Sequence, residues 1–266
     1  MFQTLSRLFR SPLPDLPPAA VPAGERWYVV GDVHGRCDLL DALVTAVDRD
    51  DAEAPPANTT VVMLGDLIDR GPESAGVVAV TRAWQCRRPV RVLAGNHEEM
   101  FLRSFDDLEM LRHFLRHGGR ETVLSYGIER SQYNAMSLEE VQAEMARIVP
   151  RADRAFLEAA EDFIEVGDYL LVHAGIQPGV PLAEQKRADM LWIRERFLRH
   201  DEPFSHVVVH GHTIFDDVVD AGTRIGIDTG AYRSGRLTAL VLEGSARRTI
   251  QAVDHGGRIA IERNGD

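Results

Sequence analysis

Cysteine is scarce in this sequence, with only Cys37 and Cys86 in 266 residues. Two distant thiols form neither a disulfide framework nor a zinc–thiolate pattern, so a small stapled secreted domain is excluded and a reducing, cytoplasmic setting is expected. Positive charge is also in deficit: Lys+Arg 30 against Asp+Glu 41 gives a net charge of -11. A surface of that sign repels nucleic acid and anionic lipid, so a non-specific nucleic-acid binder is excluded. No stretch could span a bilayer, and no apolar core of signal-peptide length appears, so stable membrane insertion is not expected. The chain starts with Leu5, Leu8 and Phe9 interleaved with Arg7 and Arg10, followed by Pro12, Pro14, Pro17, Pro18 and Pro22. Residues 1–25 therefore read as a flexible, proline-rich arm. What is present suffices for a large core: 44% hydrophobic residues, enough for one large domain or two small ones.

The most informative stretch runs from Thr59 to Gly71, where a β-branched apolar run stops at Gly65 and Asp66, Asp69 and Arg70 follow. A buried strand that delivers charged groups to the rim of a sheet has this pattern, with Gly65 allowing a sharp turn. Four other runs repeat it. Trp27–Val30 leads to Asp32 and His34, and Val90–Leu93 leads to Asn96 and His97. Tyr169–Val172 leads to His173, and Val207–Val209 leads to His210 and His212. Helices are predicted over about 38–48 and 73–85, and a mostly helical stretch over about 99–162. Within it, Phe101, Leu102, Phe105, Leu108, Leu111, Phe114 and Leu115 fit one apolar face ended by Gly118 and Gly119. Ser137 and Glu140 form a capping-box pattern for a further helix that Pro150 should stop. The tail reads as strands joined by glycine-containing turns.

Ligands of open α/β sheets gather at the carboxyl ends of strands, so these polar residues are expected to meet in space. Carboxylate, amide oxygen and imidazole without thiolate suit Mn²⁺, Fe, Zn²⁺ or Mg²⁺. That many donors exceed the needs of one ion and suggest two, with Asp66 placed to bridge. A pair of cations about 3.5–4 Å apart can clamp a phosphoryl group and lower the pKa of a bound water.

Gly31-Asp-Val-His-Gly35, Gly65-Asp-Leu-Ile-Asp-Arg-Gly71 and Gly95-Asn-His-Glu98 resemble the three signature motifs of the PPP-type serine/threonine protein phosphatases, within the calcineurin-like metallophosphoesterase superfamily. His173-Ala-Gly175 and Gly211-His-Thr213 resemble its later ligand motifs. Leu191-Trp-Ile-Arg-Glu195 and the Gly118–Gly127 region are similar to segments of bacterial and phage members. The resemblance implies an α/β fold, a two-sheet β-sandwich flanked by helices with metals at the strand ends. It implies a catalytic domain over 26–254, with the helical insert at about 99–162 lining the entrance and a tail over 255–266. Carried over by residue, it implies that Asp32 and His34 hold one metal, Asp66 bridges, and Asn96, His173 and His212 hold the other. His97 would be the general acid, oriented by Asp69, with Arg70 and Arg194 gripping phosphate oxygens.

The resulting expectation is a protein serine/threonine phosphatase that hydrolyses phosphomonoesters by metal-activated hydroxide, using two divalent ions, Mn²⁺ ahead of Fe or Zn²⁺. Its substrate would be a phosphoprotein or a phosphorylated small molecule. Two alternatives stand beside it: a dinucleoside polyphosphate hydrolase and a non-catalytic phospho-binding scaffold. Thr213 stands where many metallophosphoesterases outside the PPP group carry a second histidine, which leaves the first metal with fewer protein ligands. His210 reads as a hydrogen-bonded strand-end histidine rather than a ligand.

Overall fold

In the first strand, β1 (Glu25–Val30), Trp27 and Val29 face one side and Tyr28 and Val30 the other, following the two-residue period of extended chain. All four are buried, so each face of the strand must be covered. The computed structural model, which describes residues 18–265, shows what covers them.

The chain continues through α1 (Cys37–Glu53), β2 (Asn58–Met63), α2 (Ser74–Gln85) and β3 (Val90–Val92). Six helices follow: α3 (Asn96–Arg103), α4 (Leu108–Phe114), α5 (Arg120–Ser125), α6 (Arg130–Ala135), α7 (Leu138–Ile148) and α8 (Arg151–Glu158). Next come β4 (Phe163–Val166), β5 (Tyr169–Val172), α9 (Arg187–Trp192), α10 (Glu195–Leu198), β6 (Val207–His210), β7 (Val219–Asp220) and β8 (Arg224–Gly226). The chain closes with α11 (Ala231–Ser234), β9 (Arg236–Glu243), β10 (Ala246–Asp254) and β11 (Ile259–Asn264).

These strands form two sheets, ordered β11-β10-β9-β1-β2-β3 and β4-β5-β6-β8-β7. Trp27, Val29, Val62 and Leu64 of the first sheet pack against Tyr169, Leu171, Val209 and Ile225 of the second. Tyr28, Val30, Val61 and Met63 pack outward under the helices of the first half of the chain, including Leu39, Leu43, Val77 and Phe101. On the far face, Leu170, Val172 and Val208 are covered by Met190, Ile193 and Phe197. The expected two-sheet sandwich flanked by helices is therefore what the chain forms. Each central strand is buried on both faces, which is why it reads as a continuous apolar run.

The structure departs from the expected elements in three places. The single helix predicted from Phe101 to Leu115 is two, because the Asp107 carboxylate accepts the N–H groups of Glu109 (2.9 Å) and Met110 (3.0 Å) and starts a new helix. Phe105 lies in the break and still packs on the core, which is why the apolar spacing runs through it. Residues 18–25, expected within the arm, carry packed backbone: Val21 is buried and its N–H reaches the Gly244 carbonyl at 2.9 Å. The first 17 residues of that arm lie outside the described residues. Third, the stretch 255–266, expected as a tail, contains β11 in antiparallel register with β10. The capping box is as expected, with Ser137 Oγ accepting the Glu140 N–H and Glu140 accepting the Ser137 N–H.

Candidate metal centre

Parallel pairing joins β1 to β2 and β2 to β3 in one sheet, and β5 to β6 and β6 to β8 in the other. Three strand ends from each sheet therefore open onto one edge of the sandwich. Asp32, His34, Asp66, Asn96, His97, His173 and His212 all lie there, and all are buried. Of the expected site residues, only Arg70 and Arg194 retain solvent contact, and Arg194 is exposed at the rim.

Loop geometry aims these side chains. Among the described residues, the non-glycine positions with positive φ are His34, Asp66, Asp69, Arg70 and His212, at 46°, 49°, 75°, 70° and 61°. Each costs about 1–3 kcal/mol and persists only where its surroundings hold it. Much of that holding comes from Glu98, whose buried carboxylate accepts the N–H groups of Asp66 (2.8 Å), Leu67 (2.8 Å), Ile68 (3.3 Å) and Gly95 (3.1 Å). Burial and the nearby Asp66 push this carboxyl up to about 8, while the amide donors favour its anion. Gly65 turns the chain at φ 98°, as expected, and a Cβ there would lie 2.7 Å from the Gly95 nitrogen.

Two groups of donors share Asp66. His34, Asp66 and His97 form one; Asp66, His173 and His212 form the other, each with ligand atoms within 4.8 Å of one another. His34 Nδ1 donates to the Ile68 carbonyl (2.8 Å), and His173 Nδ1 donates to the Leu64 carbonyl (2.8 Å). Both rings thus present an unprotonated Nε2 inward. His173 Nε2 sits 3.0 Å from Asn96 Oδ1 and 3.4 Å from Asp66 Oδ1. Three electron-pair donors that close repel one another unless a cation lies among them. Nε2 of His212 is likewise buried without a hydrogen-bond partner among the described residues. Burial lowers the pKa of His34, His173 and His212, which keeps them in the neutral ligand form. Burial opposes the anion at Asp66, but positive charge on the imidazoles around it, led by His173 and His97, would hold its pKa below the ordinary value, the same countercharge a cation supplies when the rings are neutral. This donor set fits a pair of divalent cations.

Asp32 completes the cluster. Its carboxylate accepts the His212 N–H at 3.0–3.2 Å, and burial together with the Asp228 and Asp66 charges raises its pKa well above normal. Gly211 is what lets Asp32 approach, since a Cβ there would stand 2.0 Å from Asp32 Oδ1. Gly211→Ala is therefore expected to push Asp32 off His212, cost about 1–3 kcal/mol of stability, and weaken cation binding. Thermal unfolding with and without Mn²⁺ measures both, and a wild-type Mn²⁺ response would refute the packing argument.

The catalytic expectation rests on a second network. His97 Nδ1 lies 2.6 Å from Asp69 Oδ2, and its Nε2 lies 2.9 Å from an Arg70 guanidinium nitrogen. Arg70 also reaches His34 Nε2 at 2.7 Å and lies over the Tyr232 ring at 4.8 Å. Asp69 is fixed in turn: Thr122 Oγ1 donates to Oδ1 at 2.5 Å, and its own N–H reaches the hydroxyls of Ser74 and Thr122. Burial opposes the charge on His97, but Asp66 and Asp69 outweigh it and raise its pKa.

Sequence reasoning missed several of these residues. Glu98 sits inside a recognised motif without a role, and Thr122, 53 positions from Asp69, has no local signature. Tyr232 and Asp228 follow β8, whose apolar run ends in Asp-Thr-Gly like the other strand ends; that signal was readable. His210 stays off the cluster, between Phe197 and Phe215, as expected for a non-ligand. Its hydrogen bonding is poorer than expected, with Nδ1 3.1 Å from the Gly211 carbonyl and Nε2 without a partner among the described residues. Trp192 is 38% exposed and is hydrogen-bonded to Glu99 at the rim.

The sequence profile of the calcineurin-like phosphoesterases matches residues 26–228. Serine/threonine-protein phosphatase 1 of Salmonella typhimurium is 29% identical over 217 residues, covering 79% of this chain and 89% of that protein. The asymmetrical bis(5'-nucleosyl)-tetraphosphatase of Geobacillus thermodenitrificans is 25% identical over 231 residues, 80% of this chain and 88% of that protein. Among solved structures, that of a putative diadenosine tetraphosphatase superposes with a TM-score of 0.57 at 20% identity, covering 94% and 99% of the two chains.

Proposed function

This chain belongs to the calcineurin-like phosphoesterase family, and on that footing we propose that it is a protein serine/threonine phosphatase with two divalent cations, Mn²⁺ first among them. That it is a metal-dependent phosphatase follows from the family and its phosphatase relatives. In this proposal Asp32 and His34 hold one cation, Asp66 both, and Asn96, His173 and His212 the other. When bound, such a pair neutralises phosphoryl charge and supplies hydroxide near neutral pH. Arg70, steadied by Tyr232, and Arg194 at the rim present planar forks to the phosphate oxygens. His97, held by Asp69, gives its Nε2 proton to the departing oxygen.

The observation that carries the choice of substrate is the His97–Asp69 pair at 2.6 Å. A serine or threonine alkoxide is a poor leaving group and gains most from a positioned acid. A nucleotide phosphate departs as a stable anion and gains less. The Salmonella phosphatase supports the same reading. The tetraphosphatase relative supports the second one, a dinucleoside polyphosphate hydrolase. The helices between β3 and β4 stand as the insert that selects among substrates. The free thiols of Cys37 and Cys86 support a cytoplasmic setting, and among the described residues no helix is long and apolar enough to cross a membrane.

The deciding experiment supplies the purified chain with Mn²⁺ and compares a phosphoserine peptide, p-nitrophenyl phosphate and diadenosine tetraphosphate. The expected result is a kcat/KM for the phosphopeptide above that for the dinucleotide. The reverse order would transfer the assignment to the second reading, and inertness toward all three would favour the scaffold.

A further inference from the structure

Five of the six parallel strand ends supply the groups discussed so far. β1 brings Asp32 and His34, β2 brings Asp66, β3 brings Asn96 and His97, β5 brings His173, and β6 brings His212. The sixth, β8, runs through Gly226 and Ile227 to Asp228, which is 1% exposed. Its position beside Asp32 is fixed by backbone. His210 of β6 is in register with Gly226, and the Ile227 N–H meets the His210 carbonyl at 2.9 Å. Gly31 packs directly on this segment; a Cβ at Gly31 would lie 2.6 Å from the Ile227 carbonyl oxygen and 3.6 Å from the Asp228 nitrogen. Asp32 and Asp228 are the next residues on each side of that contact.

Within this frame the Asp228 carboxylate is only half used. Oδ1 accepts the Gly230 N–H at 2.9 Å, which sets the orientation of the side chain, while Oδ2 is buried without a partner among the described residues. The charged groups whose fields meet it are Asp32 and Asp66 on one side and Arg70 and Arg194 on the other. A carboxylate buried against two others is unfavourable unless a cation is there to be neutralised. In the assignment above the first cation has three protein ligands against four for the second, and Asp228 approaches from the sheet that supplies only a backbone contact to Asp32. Asp228, like Asp32, belongs to neither of the two tight donor groups around Asp66, and its charge bears on Asp32.

We propose that Asp228 is a further residue of the first cation site: its free carboxylate supplies charge beside Asp32 that sets the affinity of the site formed by Asp32, His34 and Asp66. This rests on the two-cation reading above. The test is calorimetric titration of the metal-free full chain with Mn²⁺, for the wild type, Asp228→Asn and Asp228→Ala, with thermal unfolding of each metal-free form. Asparagine preserves the acceptor for Gly230 and replaces the free charged oxygen with a neutral amide nitrogen; alanine removes both positions.

The expected result is two Mn²⁺ per wild-type chain, and in Asp228→Asn one site weakened roughly 10–100-fold with the other unchanged. Metal-free Asp228→Asn should melt no lower than the wild type, since a like-charge contact has been removed. Wild-type affinity at both sites in Asp228→Asn would overturn the proposal, and a defect confined to Asp228→Ala would reduce Asp228 to a turn-forming residue. Equal weakening of both sites, or a lowered melting temperature of metal-free Asp228→Asn, would equally overturn it. A wild-type chain that does not bind two Mn²⁺ would remove the underlying two-cation reading, a failure distinguishable from the others.

Discussion

Asp66→Asn is expected to abolish turnover and to weaken both Mn²⁺ sites together, by roughly 10²–10³-fold each. The reason is position. Asp66 is the one carboxylate shared by the two donor groups, so no other single change reaches both. His34, His173 and His212 are kept neutral by burial, so removing this anion leaves each cation short of countercharge in a place water hardly reaches. Asparagine suits the control: it matches aspartate in shape, and it is among the few residues at ease at φ 49°. The folded variant should therefore be recoverable without its metals. In thermal unfolding, a hundredfold excess of Mn²⁺ over its Kd should stabilise the wild type by about 2.7 kcal/mol per site, and this gain should be largely lost in Asp66→Asn. Two Mn²⁺ retained at wild-type affinity would contradict bridging. Loss of one alone would reassign Asp66 to a single ion.

Much of this centre was legible because the local rules agree. A strand buried on both faces must be apolar throughout, so the first polar residue after it marks the sheet edge, and five such edges could be read directly. The α3–α4 break was harder. Phe101 and Phe105 both serve the core, so the apolar period crosses Ser104–Asp107 without interruption and hides the cap at Asp107. Residues that act through backbone rather than through chemistry stayed invisible. Glu98 works by collecting four amide protons from two separate loops, and nothing in the order of residues says that those loops meet. Thr122 is one polar position on a short helix until Asp69 is found against it. Asp228 is different in kind, because its strand carried the same signal as the others and its role is defined only by the neighbour it faces.

His97→Ala is expected to lower kcat by about 10²–10⁴-fold while both Mn²⁺ remain bound. The structure sharpens this expectation, because His97 lies within reach of one donor group as well as of Asp69. Two bonds separate the roles. The short contact to Asp69 holds a proton on Nδ1, while Nε2 accepts from the Arg70 guanidinium at 2.9 Å and must take up a proton, freeing Arg70 for phosphate, before it can act as an acid. A ring used as an acid in this way must be cationic before it acts. Its pKa is raised, chiefly by Asp66 and Asp69 against the opposing effect of burial, so the His97 contribution to activity should hold below that value and fall as pH rises through it. Bound cations will cancel part of the Asp66 contribution, leaving Asp69 as the adjustable partner. Asp69→Asn should therefore move the alkaline limb of kcat to lower pH, while His97→Ala should remove it. The same sign governs stability: the His97–Asp69 pair contributes fully below the ordinary imidazole pKa and loses its contribution as pH climbs through the raised one. Metal analysis of His97→Ala checks the assignment independently of rate. A variant that loses an ion would make His97 a ligand, and an unchanged alkaline limb in Asp69→Asn would detach the pair from the proton transfer.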